Sequence, residues 1–464
     1  MFPAQTYKKR REDLRKSLKK GLVLLPGNVE SPMNYAANTF HFRQDSTFLY
    51  YFGIDAPQIA GIIDADSGKD ILFADELEIE DIIWMGRQET FKEKAAKAGI
   101  ETVLPVSELQ KHLDKAVKSA QQIHYLPPYQ EIQVSFLKDY LGKNSGEVQD
   151  GASIELIKAI VKQRSVKSDE ETAEIEKAVN TAYLMHTTAM RMAKEGIVEQ
   201  EIAGHIEGIA MSRGTSVSFP IILSMDVQIL HNHNHSNVLK NGRLIVNDSG
   251  AETTMHYAAD ITRTFPVSGK FTSQQKDIYE IVLQSQMEAI AASKPGVRNK
   301  DIHLQTALII ADGLKNLGIM KGNIEDAVQK GAHALFFPHG LGHMMGLDVH
   351  DMENYGEDNV GYDDEVKRSD QFGLAYLRLG RRLQEGFVIT IEPGIYFIPE
   401  LIQKWKGENK FTDFINYDKS EKYLGFSGVR IEDDVLITAE GARVLGKPIP
   451  KTINDVEEMC QSSA

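Results

Sequence analysis

Short apolar runs between turn formers mark the first third of the chain, and helical spacing marks the middle. Residues 21–26 (GLVLLP), 48–54 (FLYYFGI), 59–64 (IAGIID) and 70–74 (DILFA) are expected as strands. The charged segments 8–20 and 90–98 are expected as exposed helices, which together with the strands make a small α/β domain. A polar stretch, 142–151 (GKNSGEVQDG), follows, and its three glycines place the interdomain linker near it.

Beyond the linker the pattern changes. Ser168 precedes Glu171 by three positions, the capping box that opens a helix. Ile175, Val179, Ala182, Ala189 and Ala193 then recur at helical spacing, and Gly196 supplies a stop. A second helix is expected over 199–213, with strands at 219–224, 244–246 and around 258–265. Thr272 and Gln275 cap a helix bearing Ile278, Val282 and Ala289, and a further helix covers 300–317. Two strong β-runs, 387–397 (FVITIEPGIYF) and 429–438 (VRIEDDVLIT), flank a long insertion at 397–426. The expected architecture is an α/β N-terminal domain over residues 1–160 and an α+β catalytic domain over 161–464.

Composition narrows the function. The chain has 464 residues, 42% hydrophobic and 25% charged, which is ordinary soluble composition with room for two domains. With 66 acidic against 52 Lys and Arg residues its net charge is −14, the wrong sign for a nucleic-acid binder. Cys460 is the only cysteine, which rules out an intrachain disulfide and a thiolate metal cluster. The start of the chain is polar and basic without an apolar core, and no run approaches about 18 apolar residues. The expectation is a cytoplasmic protein without membrane partners.

The chemistry shows in carboxylates where strands should be apolar. Asp248 follows LIVN, Asp260 precedes ITRTF, Glu392 interrupts VITI and PGIYF, and Glu432 follows VRI. An unpaired buried charge costs several kcal/mol, roughly, so four acidic strand residues need a common explanation, and a bound cation is the simplest. The segment 338–351 (PHGLGHMMGLDVHD) adds His339, His343 and His350. Gly340 and Gly342 stand between the first two and no glutamate follows His339, so H-E-x-x-H zinc chemistry is excluded. A glycine-rich loop presenting His343 inward fits; capping or surface roles are the alternative. His231 opens an HNHNH run, where alternation turns His233 away from its neighbours. His186 falls on an apolar helix stripe and reads as packing.

Taken together, Asp248-x-Gly250, 260–266 (DITRTFP), 339–343 (HGLGH), 392–394 (EPG) and 429–433 (VRIED) resemble, in order, the five signature segments of the pita-bread metallopeptidases. The segments 42–48 (FRQDSTF) and 84–87 (WMGR) resemble the N-terminal, creatinase-like domain of the aminopeptidase P and prolidase branch. One departure is that Asp248 and Asp260 are 12 apart where the familiar pattern has 11. The extra residue is expected in a hairpin around 253–256.

The resemblance implies a dinuclear site on Asp248, Asp260, His343, Glu392 and Glu432, holding two divalent metal ions. Oxygen-rich ligation with one imidazole suits Mn²⁺, or Co²⁺ or Fe²⁺, better than structural zinc. It implies attack by a metal-bridging water, with Glu392 moving a proton. His231 and His350 would bind substrate and stabilise the oxyanion, with His339 behind them. Arg430, two residues before Glu432, would share its face and orient a carboxylate. The expected activity is release of an N-terminal residue before proline from proline-containing peptides, by a homodimer. The alternative is a prolidase restricted to dipeptides, in which Arg378, in 377–384 (LRLGRRLQ), would grip the substrate's carboxylate. A surface arginine is the plain reading of Arg378. A metal-free peptide-binding module or an amidinohydrolase would have lost ligands, and all five are present here.

Overall fold

The computed structural model describes residues 1–267 and 269–462. The chain divides into two units, Met1–Arg164 with Asn354–Asn359, and Ser165–Glu353 with Val360–Ala464.

The first unit is built on a five-stranded sheet. Its order is Thr102–Leu104, Asp70–Phe73, Ala60–Asp64, Leu22–Pro26 and Ile123–His124. The three central strands pair antiparallel and the two edge strands add in parallel. Leu24, Ile62 and Phe73 lie in the core this sheet shares with its helices.

Two expectations fail here. The run 48–54 is not a strand: residues 48–52 lie in the helix Ser46–Phe52, all of whose residues are buried. A wholly buried helix has no polar face, so its sequence carries no 3.6-residue period to distinguish it from a buried strand. Its ends decide: Asp45 accepts from Phe48 N, and Gly53 closes the helix at φ +63°. Arg10 and Arg11 then bind the carbonyls of Tyr50 and Tyr51 at 3.0 and 2.7 Å. The polar stretch 142–151 is no linker either. Asn144 and Glu147 form a capping box for the helix Ser145–Asp150, and Val148 enters the core. The division between units falls later, after Arg164.

In the second unit the Ser168 capping box opens the helix Asp169–Met192, which buries Ile175, Val179, Ala182 and Ala189. Helices Glu199–Arg213, Ser273–Ala292 and Asn299–Asn316 match the expected segments within a residue or two at most ends. They cover short antiparallel sheets: Thr262–Pro266, Leu244–Asp248 and Ile222–Ser224 in one, and Val388–Ile391, Asp433–Thr438 and Gly441–Val444 in another. A two-stranded ladder joins Gly394–Tyr396 to Gly428–Arg430. The insertion forms the helix Pro399–Gly407 and short turns; Ile402, Trp405, Phe414 and Tyr423 complete the main core. No helix among the described residues is long and apolar enough to cross a membrane.

Candidate metal centre

Both long β-runs break at their acidic residue. Val388–Ile391 and Gly394–Tyr396 are separated by Glu392 and Pro393, and Gly428–Arg430 and Asp433–Thr438 by Ile431 and Glu432. Each break lets one run pair with two different sheets, and each places a carboxylate at the crossing. Asp248 ends the strand Leu244–Asp248 and pairs with Thr262, so Asp260 stands two residues beyond that pair. Between the two aspartates the chain turns back over residues 253–257. Thr253 N donates to Tyr257 O, and His256 closes the loop in the left-handed conformation at φ +64°. Gly250 lets this hairpin close, because a Cβ there would lie 1.7 Å from Ala259 O.

The loop carrying His343 is seated on the neighbouring strand. His343 N donates to Thr390 Oγ1 at 3.1 Å, and Thr390 N returns a bond to His343 O at 3.0 Å. A Cβ on Gly342 would meet Thr390 O at 1.9 Å, so this approach requires glycine. His343 Nδ1 donates to Met344 O, which leaves Nε2 as an acceptor 3.4 Å from Asp260 Oδ2 and 3.7 Å from Glu392 Oε1.

Asp248, Asp260 and Glu432 form one group of converging ligand atoms, and His343, Glu392 and Glu432 form a second. Asp260, His343 and His350 form a third, so His350 stands beside the five. The electrostatics suit cations. Burial, then the charge of Asp248, pushes Asp260 up to about 8. Burial and Asp260 push Glu392 to about 8, and Glu432 rises in the same way. Burial holds His343 neutral, its pKa lowered to about 4. Carboxylates that resist ionising together, beside an unprotonated imidazole, are what two divalent ions would relieve. Asp248 Oδ1, buried and without a hydrogen-bond partner among the described residues, points the same way.

Around the cluster sits a second ring of contacts. Arg430 Nη2 binds Asp248 Oδ2 at 2.5 Å, its Nη1 donates to Tyr396 OH at 2.9 Å, and Nε reaches Thr262 Oγ1 at 3.3 Å. Arg430 therefore orients Asp248. Thr262 Oγ1 donates to Glu432 Oε2 at 2.6 Å, and Asp260 N donates to Asp434. Tyr396 OH lies 2.9 Å from His339 Nε2, while His339 Nδ1 bonds Gly340 O; burial lowers this histidine's pKa to about 3. His350 stacks edge-on against His343 with ring centres 4.3 Å apart. Arg378 Nη1 lies 2.8 Å from His350 Nδ1, which places Arg378 beside this group. Glu353 binds His350 Nδ1 at 2.6 Å and is held at about 2, chiefly by that bond. His231 stands at the exposed rim. Its pKa is lowered by burial against its neighbours, then by the charge of Arg430. His233 and His235 turn to the carbonyls of Ile221 and Leu223 instead.

Tyr396, Thr262, Glu353 and His186 were not evident as site residues from sequence. Tyr396 and Thr262 carried a signal, since each has the strand parity of a ligand, Glu392 and Asp260 respectively. His186 carried none. Its ring is buried between Asn247 and Ser249, bonding Asn247 Nδ2 at 3.1 Å and Ser249 O at 3.0 Å.

Carboxylates and one imidazole whose ligand atoms converge this closely could hold metal ions, the arrangement a metal-dependent hydrolase uses. The match to the model of metallopeptidase family M24 spans residues 173–439, and residues 7–125 match the aminopeptidase P N-terminal domain; the chain belongs to this family, that of the Xaa-Pro peptidases. It is 33% identical over 459 residues to the human Xaa-Pro dipeptidase, covering 94% of this chain and 88% of that protein. It is equally 33% identical to a probable Xaa-Pro aminopeptidase of Fusarium vanettenii, over 99% and 96% of the two chains. Escherichia coli aminopeptidase P with the inhibitor Pro-Leu superposes with a TM-score of 0.80 at 27% identity, over 99% of this chain and 98% of that one.

Proposed function

We propose that this metallopeptidase cleaves Xaa-Pro dipeptides, using a dinuclear site on Asp248, Asp260, His343, Glu392 and Glu432. Two divalent cations there, Mn²⁺ best suiting the oxygen-rich donors, would supply Lewis acidity and lower the pKa of a water. Glu392, ionised once cations offset the neighbouring carboxylates, would accept the proton of the attacking water and return it to the prolyl nitrogen as the C–N bond breaks. That nitrogen carries no hydrogen in the peptide, so it leaves only once protonated. His350 and His231 orient the scissile carbonyl.

The observation that favours a dipeptide is the position of Arg378, against His350 and only 31% exposed. There its guanidinium can anchor the free carboxylate one residue beyond the scissile bond. The similarity to aminopeptidase P across the whole chain favours a second reading, an aminopeptidase that accepts longer peptides. Hydrolysis of Ala-Pro and Ala-Pro-Ala with added Mn²⁺ separates the two, with chelator-treated protein as control. The dipeptidase cleaves Ala-Pro and loses affinity for it in Arg378→Met. Comparable cleavage of the tripeptide, indifferent to Arg378→Met, establishes the aminopeptidase.

A further inference from the structure

Arg378 does not await a substrate carboxylate alone. Glu353 follows Met352, which adopts the left-handed conformation at φ +64°, and Glu353 N closes the turn on His350 O at 3.2 Å. The turn brings the Glu353 side chain back over His350. One carboxylate oxygen accepts from His350 Nδ1 at 2.6 Å, and the other lies 3.4 Å from Arg378 Nη2. The pair is accessible, with side chains 31% and 43% exposed, so a ligand can reach it.

We propose that Glu353 is a specificity-determining residue that competes with the substrate's C-terminal carboxylate for Arg378, and so sets how strongly free dipeptides are preferred over uncharged Xaa-Pro ends. The inference rests on the dipeptide reading of Arg378. A bidentate grip on a substrate carboxylate needs two N–H groups of the guanidinium, and the protein's own carboxylate already neighbours one edge. A second carboxylate must displace Glu353 or bind beside a like charge, which weakens binding. A peptide ending in an amide brings no charge and meets no such penalty. The protein therefore lowers its own affinity for charged substrate, and its product proline is released by the same means.

The test compares Ala-Pro with Ala-Pro amide in the Mn²⁺-loaded enzyme and in Glu353→Gln, which keeps an acceptor for His350 while removing the charge. The KM for Ala-Pro should fall by about three- to fivefold, the range of a partly exposed ion pair, while that for the amide stays put. Calorimetric titration with L-proline and L-prolinamide should repeat the pattern, tightening only for proline. A rise in KM for Ala-Pro, or equal shifts for both ligands, would show that Glu353 merely orients Arg378 and His350, and overturns the proposal. Arg378→Met distinguishes the two levels. If it leaves the KM for Ala-Pro unchanged, the anchor itself is wrong; if it raises KM while Glu353→Gln has no effect, only the competition fails.

Discussion

Arg430 grips Asp248 Oδ2 at 2.5 Å and leaves Oδ1, buried, with no hydrogen-bond partner among the described residues. One oxygen is thus oriented by the protein and the other is available to a cation. The same guanidinium donates to Tyr396, which meets His339, so a single side chain ties a ligand strand to the histidine loop.

Lysine cannot span Asp248, Tyr396 and Thr262 at once, because it lacks the planar fork. Arg430→Lys should weaken Mn²⁺ binding by about 10–100-fold, the usual effect of removing a ligand's outer partner. Metal titration followed by calorimetry measures this, and unchanged affinity would refute the orienting role.

His186 locks the residues on either side of Asp248 from the helix Asp169–Met192. As Ser249 O can only accept, Nε2 carries the proton and Nδ1 accepts from Asn247. His186→Leu strands a buried amide and a buried carbonyl, at a cost of about 1–3 kcal/mol each. Lower metal occupancy after dialysis and a depressed melting temperature are expected, with partial recovery in His186→Gln. Full metal occupancy in the leucine variant would reduce His186 to packing.

Two further histidines should make stability acid-sensitive. His303 and His333 are fully buried, with no hydrogen-bond partner on either ring nitrogen among the described residues. Burial lowers them to about 3 and about 4; His333, His339 and Lys300 add to the effect at His303. Between the ordinary histidine value near 6.5 and these values the unfolded chain binds protons that the native state refuses. Stability should therefore be full above pH 6.5 and decline as pH falls toward 4. Urea denaturation at several pH values should show a shallower decline in His303→Phe and His333→Leu than in the parent protein; parallel curves would refute the assignment.

The carboxylates work in the opposite sense when cations are stripped. Asp260 and Glu392, raised to about 8, hold protons that the unfolded chain loses near pH 4. Chelator-treated protein should thus lose stability as pH rises through 8. Added Mn²⁺ should raise the melting temperature, more at pH 8.5 than at 6.5, because it displaces protons. A metal-induced shift independent of pH would argue that the ion binds elsewhere.

Local pattern made most elements legible. The Ser168 and Thr272 capping boxes, the buried stripes of their helices and the acidic residues inside apolar strands are all relations between residues a few positions apart. The sequence determined by itself that carboxylates would sit on buried strands, which demands a countercharge. It did not determine that 48–52 is helical, since a segment buried on every side has no period to read. Nor could it assign Arg430 to Asp248, its partner across 182 residues, or Thr262 to Glu432 across 170. Those neighbours are chosen by strand pairing and by the breaks at Glu392 and Glu432. Pairing is a long-range contact paid for in loop-closure entropy, so only the tertiary structure decides which strand ends meet.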